Sequence, residues 1–303
     1  FNSVTCADDF ALAEKCDIWG GSVNGLLSQG VKVVSAARGK LAVNAESHLR
    51  AGCTALHPQI LDDKRIGVEF LSQIACGIRG FMFWQLHAES LGLEAPAWGL
   101  LDPAGNATRS FETVKNFKEK LTPVIEKIMG SARLDCKVAI YISAQNEIFQ
   151  WCLGHLDMYR RDIDGWCEFF FSNSIGFDFI DNTFLNERNL ENYEVIIVPQ
   201  GYYLSEEEAG ALASWVENSG GTLVCEAHTA AYNASRGRHE GVIPGCGLAE
   251  RFGLREIEIA EPESSSIAGS TSGGNIPDDV KKALNVTGWR SVCMRFSGRP
   301  YPG

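Results

Sequence analysis

Apolar residues in the first 132 positions occur in short runs, separated by longer stretches with helical spacing. Short apolar runs predict strands, and apolar residues that recur every three or four positions predict helices. The predicted strands are residues 17–20, 40–44 and 80–85, and the predicted helices are residues 9–16, 61–76 and 111–128. This alternation predicts parallel strands in an α/β architecture. It supplies three or four strand–helix units where a closed (β/α)8 barrel needs eight, so residues 1–132 are expected to be the last part of a barrel or a smaller open sheet.

A second strand–helix series begins near Asp135. Its predicted strands are residues 137–142, 177–180, 194–199 and 222–225, and a helix rich in aromatic residues is predicted at 162–174. Ser205 is expected to begin a further helix whose first turn carries three glutamates, and Gly220 to end it. This series predicts a doubly wound, flavodoxin-like domain over residues 135–260. Residues 261–303 are expected to form a flexible linker, which is Ser/Gly-rich, and a tail.

Composition and net charge limit the classes of partner that the chain is expected to bind. The chain has 303 residues, 45% of them hydrophobic and 21% charged, and a formal net charge of −11. The negative charge argues against nucleic acid and anionic membranes as partners. No run approaches eighteen apolar residues, so no transmembrane helix is expected. The chain starts at Phe1, which is expected of a processed or incomplete polypeptide.

Ten cysteines are scattered along the chain without a CxxC pair. Structural zinc sites usually show such paired spacings, so no metal site is expected. Several cysteines stand among apolar residues, where a free thiol packs as a small hydrophobic group. The thiols are therefore expected to be mostly reduced and buried, which favours a cytoplasmic protein. Sequons at Asn106, Asn233 and Asn285 point the other way, but matches of this kind arise by chance.

The stretch 80–109 carries side chains that suit a sugar. A buried strand is followed there by amide, imidazole, carboxylate and indole groups: Trp84, Gln85, His87, Glu89, Glu94 and Trp98. The preceding predicted strand delivers Glu46 near its carboxyl end. Carboxylates and aromatic residues at the carboxyl ends of successive parallel strands are typical of a (β/α) barrel active site. Retaining glycoside hydrolysis needs a carboxylate nucleophile, and Glu46 is the candidate. The alternative is that Glu46 is a solvent-exposed glutamate at a helix start.

Other candidate sites are weaker. Cys225 with His228 could form a nucleophile pair, but a nucleophilic cysteine of that kind needs a strained strand-to-helix turn with flanking glycines, and Cys225 falls within or at the end of a plain strand. The pairs Asn146-Glu147 and Asn186-Glu187 both lie in the second domain, and Glu147 is expected to serve local structure or an intersubunit contact. No GxGxxG follows a strand, which disfavours a dinucleotide site.

The first domain resembles the C-terminal part of the catalytic TIM barrel of family 42 glycoside hydrolases, the β-galactosidases. Residues 17–22 (DIWGGS) resemble the sixth strand of that barrel, 40–46 (KLAVNAE) the seventh, and 80–85 (GFMFWQ) the eighth. Residues 99–105 (GLLDPAG) and 108–109 (TR) resemble the hairpin and helix start that follow. The resemblance implies that Glu46 is the nucleophile and that Glu94, in Gly92-Leu93-Glu94, binds galactose.

The second domain resembles the trimerisation domain of the same family, which is related in fold to class I glutamine amidotransferases. The resemblance rests on residues 193–199 (YEVIIVP), 204–208 (LSEEE) and 216–223 (VENSGGTL), and it covers about residues 2–260 in all. It implies a galactoside substrate, a homotrimer and no cofactor. It also implies that the tail from residue 277 starts a third, β-rich domain.

Three departures from the family concern the site. The family's acid/base glutamate follows an asparagine at the end of the fourth strand, and no matching strand precedes Glu46. His87 stands where the family often has arginine. The histidine expected after Glu94 is replaced by Pro96-Ala97-Trp98. The chain is therefore expected to be either a β-galactosidase-like retaining glycosidase whose proton donor lies elsewhere, or a non-catalytic oligomerisation module.

Overall fold

The computed structural model describes residues 8–23, 27–51, 59–60, 63–92, 94–185, 187–260 and 293–296. The chain divides into two compact units, Phe1–Leu134 and Asp135–Gly303, and each contains a parallel β-sheet. The predicted α/β class is confirmed. Within the described ranges, no helix has the length and apolar character needed to cross a bilayer. Asn186 and most of the predicted linker and tail lie outside the described residues.

The first unit is built around three parallel strands, with β2 between β1 and β5. Its elements are α1 (Asp9–Glu14), β1 (Ile18–Gly21), α2 (Leu27–Ala37), β2 (Leu41–Ser47), β3 (Arg50–Ala51), β4 (Gln59–Ile60), α3 (Asp63–Cys76), β5 (Gly80–Phe83), α4 (Arg109–Leu121) and α5 (Ile125–Met129). The three predicted strands are present. Helix α2 went unpredicted because Gly30 and its three valines have low helix propensity, which packing on the sheet overrides.

Helices cover one face of this sheet. Ala42 of β2 packs in a buried cluster with Val33 and Ala37 of α2, and Phe81 and Phe83 of β5 pack around Phe70 of α3. The side chains that alternate with these point to the other face of the sheet. There the apolar side chains are exposed, at 54% for Ile18, 40% for Leu41 and 60% for Met82. A sheet face of this composition is typical of one that other elements cover.

The prediction of one long helix over residues 111–128 is wrong. Helix α4 ends at Leu121, a 3-10 turn spans Thr122–Val124, and α5 follows. Pro123 explains the break, because proline lacks the N–H for a helical hydrogen bond and its ring clashes with the preceding turn. Helical periodicity was therefore a correct signal for both segments but did not report the interruption.

The second unit is built around four parallel strands in the order β10-β8-β6-β7. Its elements are β6 (Val138–Tyr141), α6 (Ala144–Cys152), α7 (Leu156–Ser172), β7 (Phe177–Ile180), α8 (Glu187–Leu190), β8 (Val195–Val198), β9 (Tyr203–Leu204), α9 (Glu206–Ser219), β10 (Thr222–Cys225), β11 (Tyr232–Asn233), β12 (Arg238–His239), α10 (Leu248–Phe252), β13 (Glu256–Ala260) and β14 (Cys293–Phe296). The four predicted strands are present, whereas α6 was not predicted and α7 begins six residues before its predicted start.

Local signals placed helix α9 correctly. The hydroxyl of Ser205 accepts a hydrogen bond from the backbone N–H of Glu208 at 3.1 Å, and the carboxylate of Glu208 accepts one from the backbone N–H of Ser205 at 2.7 Å. This reciprocal capping box satisfies two amide groups that the helix leaves free. Gly220 ends the helix with a φ of 69°, a conformation in which glycine has no steric penalty.

Seven cysteines have described side chains, and all are free thiols. Cys76, Cys136 and Cys167 are buried, whereas Cys16, Cys152 and Cys225 are exposed. The expectation of buried thiols therefore holds for only part of this set. The described side chains include no group of three or more His, Cys, Asp or Glu residues placed to hold a metal ion.

Candidate functional site

A β-bulge near the carboxyl end of β2 determines where Glu46 points. Asn44 pairs with Phe81 and Ser47 pairs with Phe83, so Ala45 and Glu46 together oppose the single residue between those two. Regular alternation from Asn44 would have turned Glu46 toward the helix-covered face. The bulge gives that position to Ser47, which is 4% exposed, while the side chain of Glu46 remains 41% exposed. Glu46 is therefore accessible at the carboxyl end of the strand.

Asn44 anchors the strand beneath Glu46. Its side chain is fully buried, and its amide nitrogen donates to the carbonyl oxygen of Val23 at 2.8 Å and to Oε1 of Gln73 at 2.9 Å. Its Oδ1 accepts from the backbone N–H of Val23 at 3.1 Å and from that of Glu46 at 3.2 Å. Asn44 thus ties the bulge to helix α3 and to the segment after β1.

His48 lies beside the carboxylate of Glu46, and Trp98 stacks on His48. The Nε2 atom of His48 lies 3.0 Å from Oε1 of Glu46. The imidazole stacks on the indole of Trp98 with ring centroids 4.6 Å apart and an interplanar angle of 14°. Trp98 has a φ of 55°, which a bulky residue adopts only where its surroundings hold it there. Its carbonyl oxygen accepts from the backbone N–H of Gln85 at 3.1 Å. Glu46, His48 and Trp98 form one contiguous group.

Trp84 and Glu94 form a second pair in the same loop region. The indole Nε1 of Trp84 donates to Oε2 of Glu94 at 3.2 Å, and the ring remains 40% exposed. The backbone N–H of Trp84 donates to the carbonyl oxygen of Ser47 at 3.1 Å, which joins this pair to the end of β2. An exposed indole beside a carboxylate supplies both an apolar face and hydrogen-bond acceptors.

Gln85 and His87 have mainly structural contacts. The Nε2 atom of Gln85 is buried and makes no hydrogen bond to a described group, so it is not available to a ligand in this conformation. The Nδ1 atom of His87 lies 2.9 Å from the carbonyl oxygen of Ala88. Leu101 bridges both His87 and Ala107, which forms the hairpin expected after the loop. Thr108 then caps α4, and its hydroxyl accepts from the backbone N–H of Phe111 at 3.4 Å.

The alternative candidates in the second unit have local roles. Although Cys225 is exposed as a residue, desolvation raises the pKa of its thiol to about 12, so the sulfur is not a thiolate at neutral pH. His228 lies beside Glu256, with Nδ1 to Oε2 at 3.6 Å. Glu147 lies in the first turn of α6, 3.7 Å from Arg160, which supports the local-structure interpretation.

A pair of carboxyl groups lies at the carboxyl ends of the second sheet. Glu226, directly after β10, accepts from the indole of Trp166 at 3.1 Å and from the backbone N–H of Gln200 at 3.2 Å. Asp162 of α7 lies close enough to Glu226 for the two charges to interact, and its Oδ2 is buried without a hydrogen-bond partner among the described residues. Burial, followed by the negative charge of Glu226, raises the pKa of Asp162 to about 9. Asp162 is therefore a neutral carboxylic acid at neutral pH.

We expect Asp162→Asn to raise the thermal unfolding midpoint, and to raise it more at pH 8 than at pH 5. An aspartate ionises near pH 4 in the unfolded chain but near pH 9 in the folded chain, so wild-type stability falls as pH rises between these values. Asparagine removes this loss, because its side chain does not ionise. Thermal melts at both pH values, with the exposed Asp157→Asn as control, measure the effect. An increase in the unfolding midpoint that is equal at both pH values would contradict this prediction.

Three features of the site could not be predicted from the sequence. The bulge depends on pairing with β5, and the contact between Asn44 and Gln73 joins residues on separate elements. The pairing of Trp84 with Glu94 depends on how the loop folds back. A signal for Asn44 was present, because an amide inside the apolar run 41–44 must find partners when it is buried.

Comparisons with known proteins found one family model and several solved structures that are similar to this chain. Residues 134–281 match the family model of the β-galactosidase trimerisation domain. The chain is similar to the cold-adapted β-galactosidase of Rahnella sp. R3, with a TM-score of 0.75 and 17% identity over 96% of this chain and 44% of that one. It is also similar to the β-galactosidase of Bacillus circulans sp. alkalophilus, with a TM-score of 0.68 and 21% identity over 84% and 38%.

A third similar structure is Gan42B, a GH42 β-galactosidase from G. stearothermophilus, with a TM-score of 0.70 and 18% identity over 86% of this chain and 40% of that one. This chain thus spans about two fifths of the length of these relatives. A sequence comparison with curated proteins returned no significant match. The resemblance to family 42 β-galactosidases that the sequence indicates is confirmed.

Proposed function

We propose that this chain, which carries a β-galactosidase trimerisation domain and the fold of family 42 β-galactosidases, is the nucleophile-bearing part of a retaining glycosidase. The observation that supports this most directly is the placement of Glu46. Its carboxylate lies at the carboxyl end of a parallel strand, turned off the covered face by a bulge and held beside an imidazole that stacks on an indole. Parallel-strand carboxyl ends are where barrel enzymes position catalytic groups.

Strands β1, β2 and β5 correspond in this proposal to the sixth, seventh and eighth strands of a (β/α)8 barrel. The exposed apolar face that carries Ile18, Leu41 and Met82 would then be its interior, which further strands cover. The second unit has the strand order β10-β8-β6-β7, which is the 2-1-3-4 order of flavodoxin-like sheets when the strands are counted along the chain.

In the proposed reaction, a carboxylate oxygen of Glu46 attacks the anomeric carbon of a β-galactoside. The bond to the leaving oxygen breaks, a glutamate outside this chain donates the proton, and a glycosyl-enzyme ester forms. Water activated by the same glutamate then hydrolyses the ester. The two carboxyl groups lie about 5 Å apart in retaining enzymes. The mechanism requires no metal or organic cofactor.

The remaining site residues are proposed to bind the sugar. Glu94 accepts hydrogen bonds from hydroxyl groups, and the exposed Trp84 and the half-buried Trp98 pack against the apolar face of a pyranose. Gln85 holds the loop through its backbone, and His87 is an exposed residue of the same loop. We further propose that the chain assembles as a homotrimer through its second unit, and the free thiols are compatible with a cytoplasmic location.

Covalent trapping tests the nucleophile on this chain directly. With 2,4-dinitrophenyl 2-deoxy-2-fluoro-β-galactoside, the leaving group departs without protonation, so the missing acid is not required. The fluorine slows hydrolysis of the ester, so the intermediate should accumulate on the peptide that contains Glu46 and be found by mass spectrometry. The corresponding glucoside is expected to label more slowly. Labelling of another carboxylate, or of none, would overturn the assignment.

The second candidate function is a non-catalytic oligomerisation module. It is favoured by the three-stranded sheet in the described part of the first unit, whose apolar face is exposed. The covalent label separates the candidates. A chain that assembles in solution but takes no label would support the module, and a chain that is labelled at Glu46 would support the glycosidase.

A further inference from the structure

We propose that an apolar patch on helix α6 and the turn into α7 is the surface on which a second copy of this chain docks. The patch consists of Ile148, Trp151, Leu153 and Met158, and is called the α6 patch below. This inference rests on the proposed homotrimer and goes further, because it assigns the contact to named residues. Three lines of argument support it: the exposed apolar residues of α6 beside buried amides, the exposed area, and the family match of this region.

The two fully buried residues of helix α6 are polar, and the half-buried Phe149 beside them packs on Tyr203. The two buried residues are Asn146 and Gln150, which are 2% and 0% exposed. Both side-chain amides donate to the carbonyl oxygen of Gln200 at 3.1 Å, and Oδ1 of Asn146 accepts from the backbone N–H of Tyr203 at 3.0 Å. These bonds satisfy backbone groups of the loop after β8. Replacing the two amides with apolar residues would leave those backbone groups without these partners.

Apart from Gln145 in its first turn, the exposed positions of α6 are apolar or a cysteine. Ile148 is 45% exposed and Trp151, one turn later, is 56% exposed. Leu153 follows at the end of the helix with 42% exposure, and Met158 in the first turn of α7 has 40%. A surface helix normally has the reverse arrangement, with apolar residues facing the core and polar residues facing solvent. The pattern indicates that a protein surface covers the outward side of α6.

The exposed area fits the central part of a subunit interface. The four side chains leave on the order of 400 Å² of surface exposed, within the size range at which apolar patches mark interaction sites. This is about half of the ~800 Å² that each partner contributes to an interface of standard size. Tryptophan at the centre of such a patch is the residue type that most often dominates binding energy.

A copy of this chain is the occupant that the remaining observations favour. The α6 patch lies within residues 134–281, which match a trimerisation domain. Beside it, Glu147 and Arg160 already form an ion pair 3.7 Å apart, so this border presents a polar rim around an apolar centre. In a trimer the contact is heterologous, so the patch need not be complementary to itself.

Sedimentation of the full chain and of Trp151→Glu tests the proposal. The wild-type chain should be a trimer at micromolar concentration, and the charge at the patch should raise the dissociation constant at least about 30-fold, as expected for a central interface residue. Ile257→Glu is the matched control, because Ile257 is also 56% exposed in the second unit but lies outside the patch. It should remain trimeric, and circular dichroism should be unchanged in both variants.

The outcomes separate this inference from the proposed function. A trimeric Trp151→Glu variant would overturn the α6 patch and leave the trimer standing. A wild-type chain that is monomeric at all concentrations would overturn both, whereas labelling of Glu46 would still test the chemistry independently.

Alkylation of Cys152 provides a test that needs no substitution. Cys152 ends α6 beside the patch and is exposed in the single chain, as is Cys16 in the first unit. If copies dock on the patch, the alkylation rate of Cys152 should fall at least about tenfold as chain concentration rises through the association range, while that of Cys16 stays constant. Equal concentration dependence for the two thiols would contradict the docking surface.

Discussion

Replacing Glu46 with Gln is expected to lower kcat for β-galactoside hydrolysis by at least about 10⁴-fold in an assembly that contains the proton donor. Glutamine preserves the size of the side chain and can still accept a hydrogen bond from His48, 3.0 Å away. It cannot form the glycosyl ester, because an amide oxygen is a poor nucleophile. The loss should therefore appear in kcat, and it is measured with an aryl β-galactoside.

The matched control for this prediction is Glu207→Gln, an exposed glutamate in the first turn of α9. It removes the same charge from the second unit and should leave kcat unchanged. Thermal unfolding of both variants should match the wild type within a few degrees, since neither position is in a core. Turnover within tenfold of wild type in Glu46→Gln would remove Glu46 from the role of nucleophile.

Replacing Asn44 with Ala is expected to destabilise the first unit by about 3 kcal/mol, because buried polar groups would lose their partners. The groups that lose this partner are the backbone N–H of Val23, Oε1 of Gln73 and the backbone N–H of Glu46. The carbonyl oxygen of Val23 keeps a hydrogen bond from Nε2 of Gln73 at 3.2 Å. Urea unfolding measures the loss. The same change should slow covalent labelling of Glu46, because the bulge that aims it would no longer be tied to α3.

Asn192→Ala serves as the control for this second prediction. Asn192 is exposed in the turn before β8, so its truncation should change stability by less than about 0.5 kcal/mol. A loss of stability in Asn44→Ala with an unchanged labelling rate would show that Asn44 supports the fold and does not position Glu46. Unchanged stability would contradict the network altogether.

The elements that were predicted correctly depend on neighbours in the chain. Helix α9 starts at the capping box of Ser205 and Glu208 and ends at Gly220, and all of these contacts span four residues or fewer. The strands were recognised from short apolar runs, which occur in the strands of both parallel sheets. Helices α2 and α6 were missed for the opposite reason. Packing on a sheet stabilises α2, and hydrogen bonds to a loop some fifty residues away hold α6.

The candidate site also combines features that local sequence shows with features that only distant contacts produce. The residue types were readable, since carboxylates and aromatic residues stand where apolar strands end. Their mutual arrangement was not. Trp98 reaches His48 across fifty positions, and Ser47 pairs with Phe83 to produce the bulge. Distant pairing of this kind depends on how strands align in the sheet, which no local pattern encodes.

The sequence by itself therefore determined the α/β class, the resemblance to family 42 and the residue types available for chemistry. Short-range periodicity, capping residues and short sequence motifs carry that information. Only the tertiary structure decided that Glu46 is turned off the covered face, that Asn44 anchors it and that α6 exposes Ile148 and Trp151 while it buries two amides. Each of these depends on a bond or contact between segments far apart in the chain. Their free energy comes from burial and pairing, which exist only once the sheets have formed.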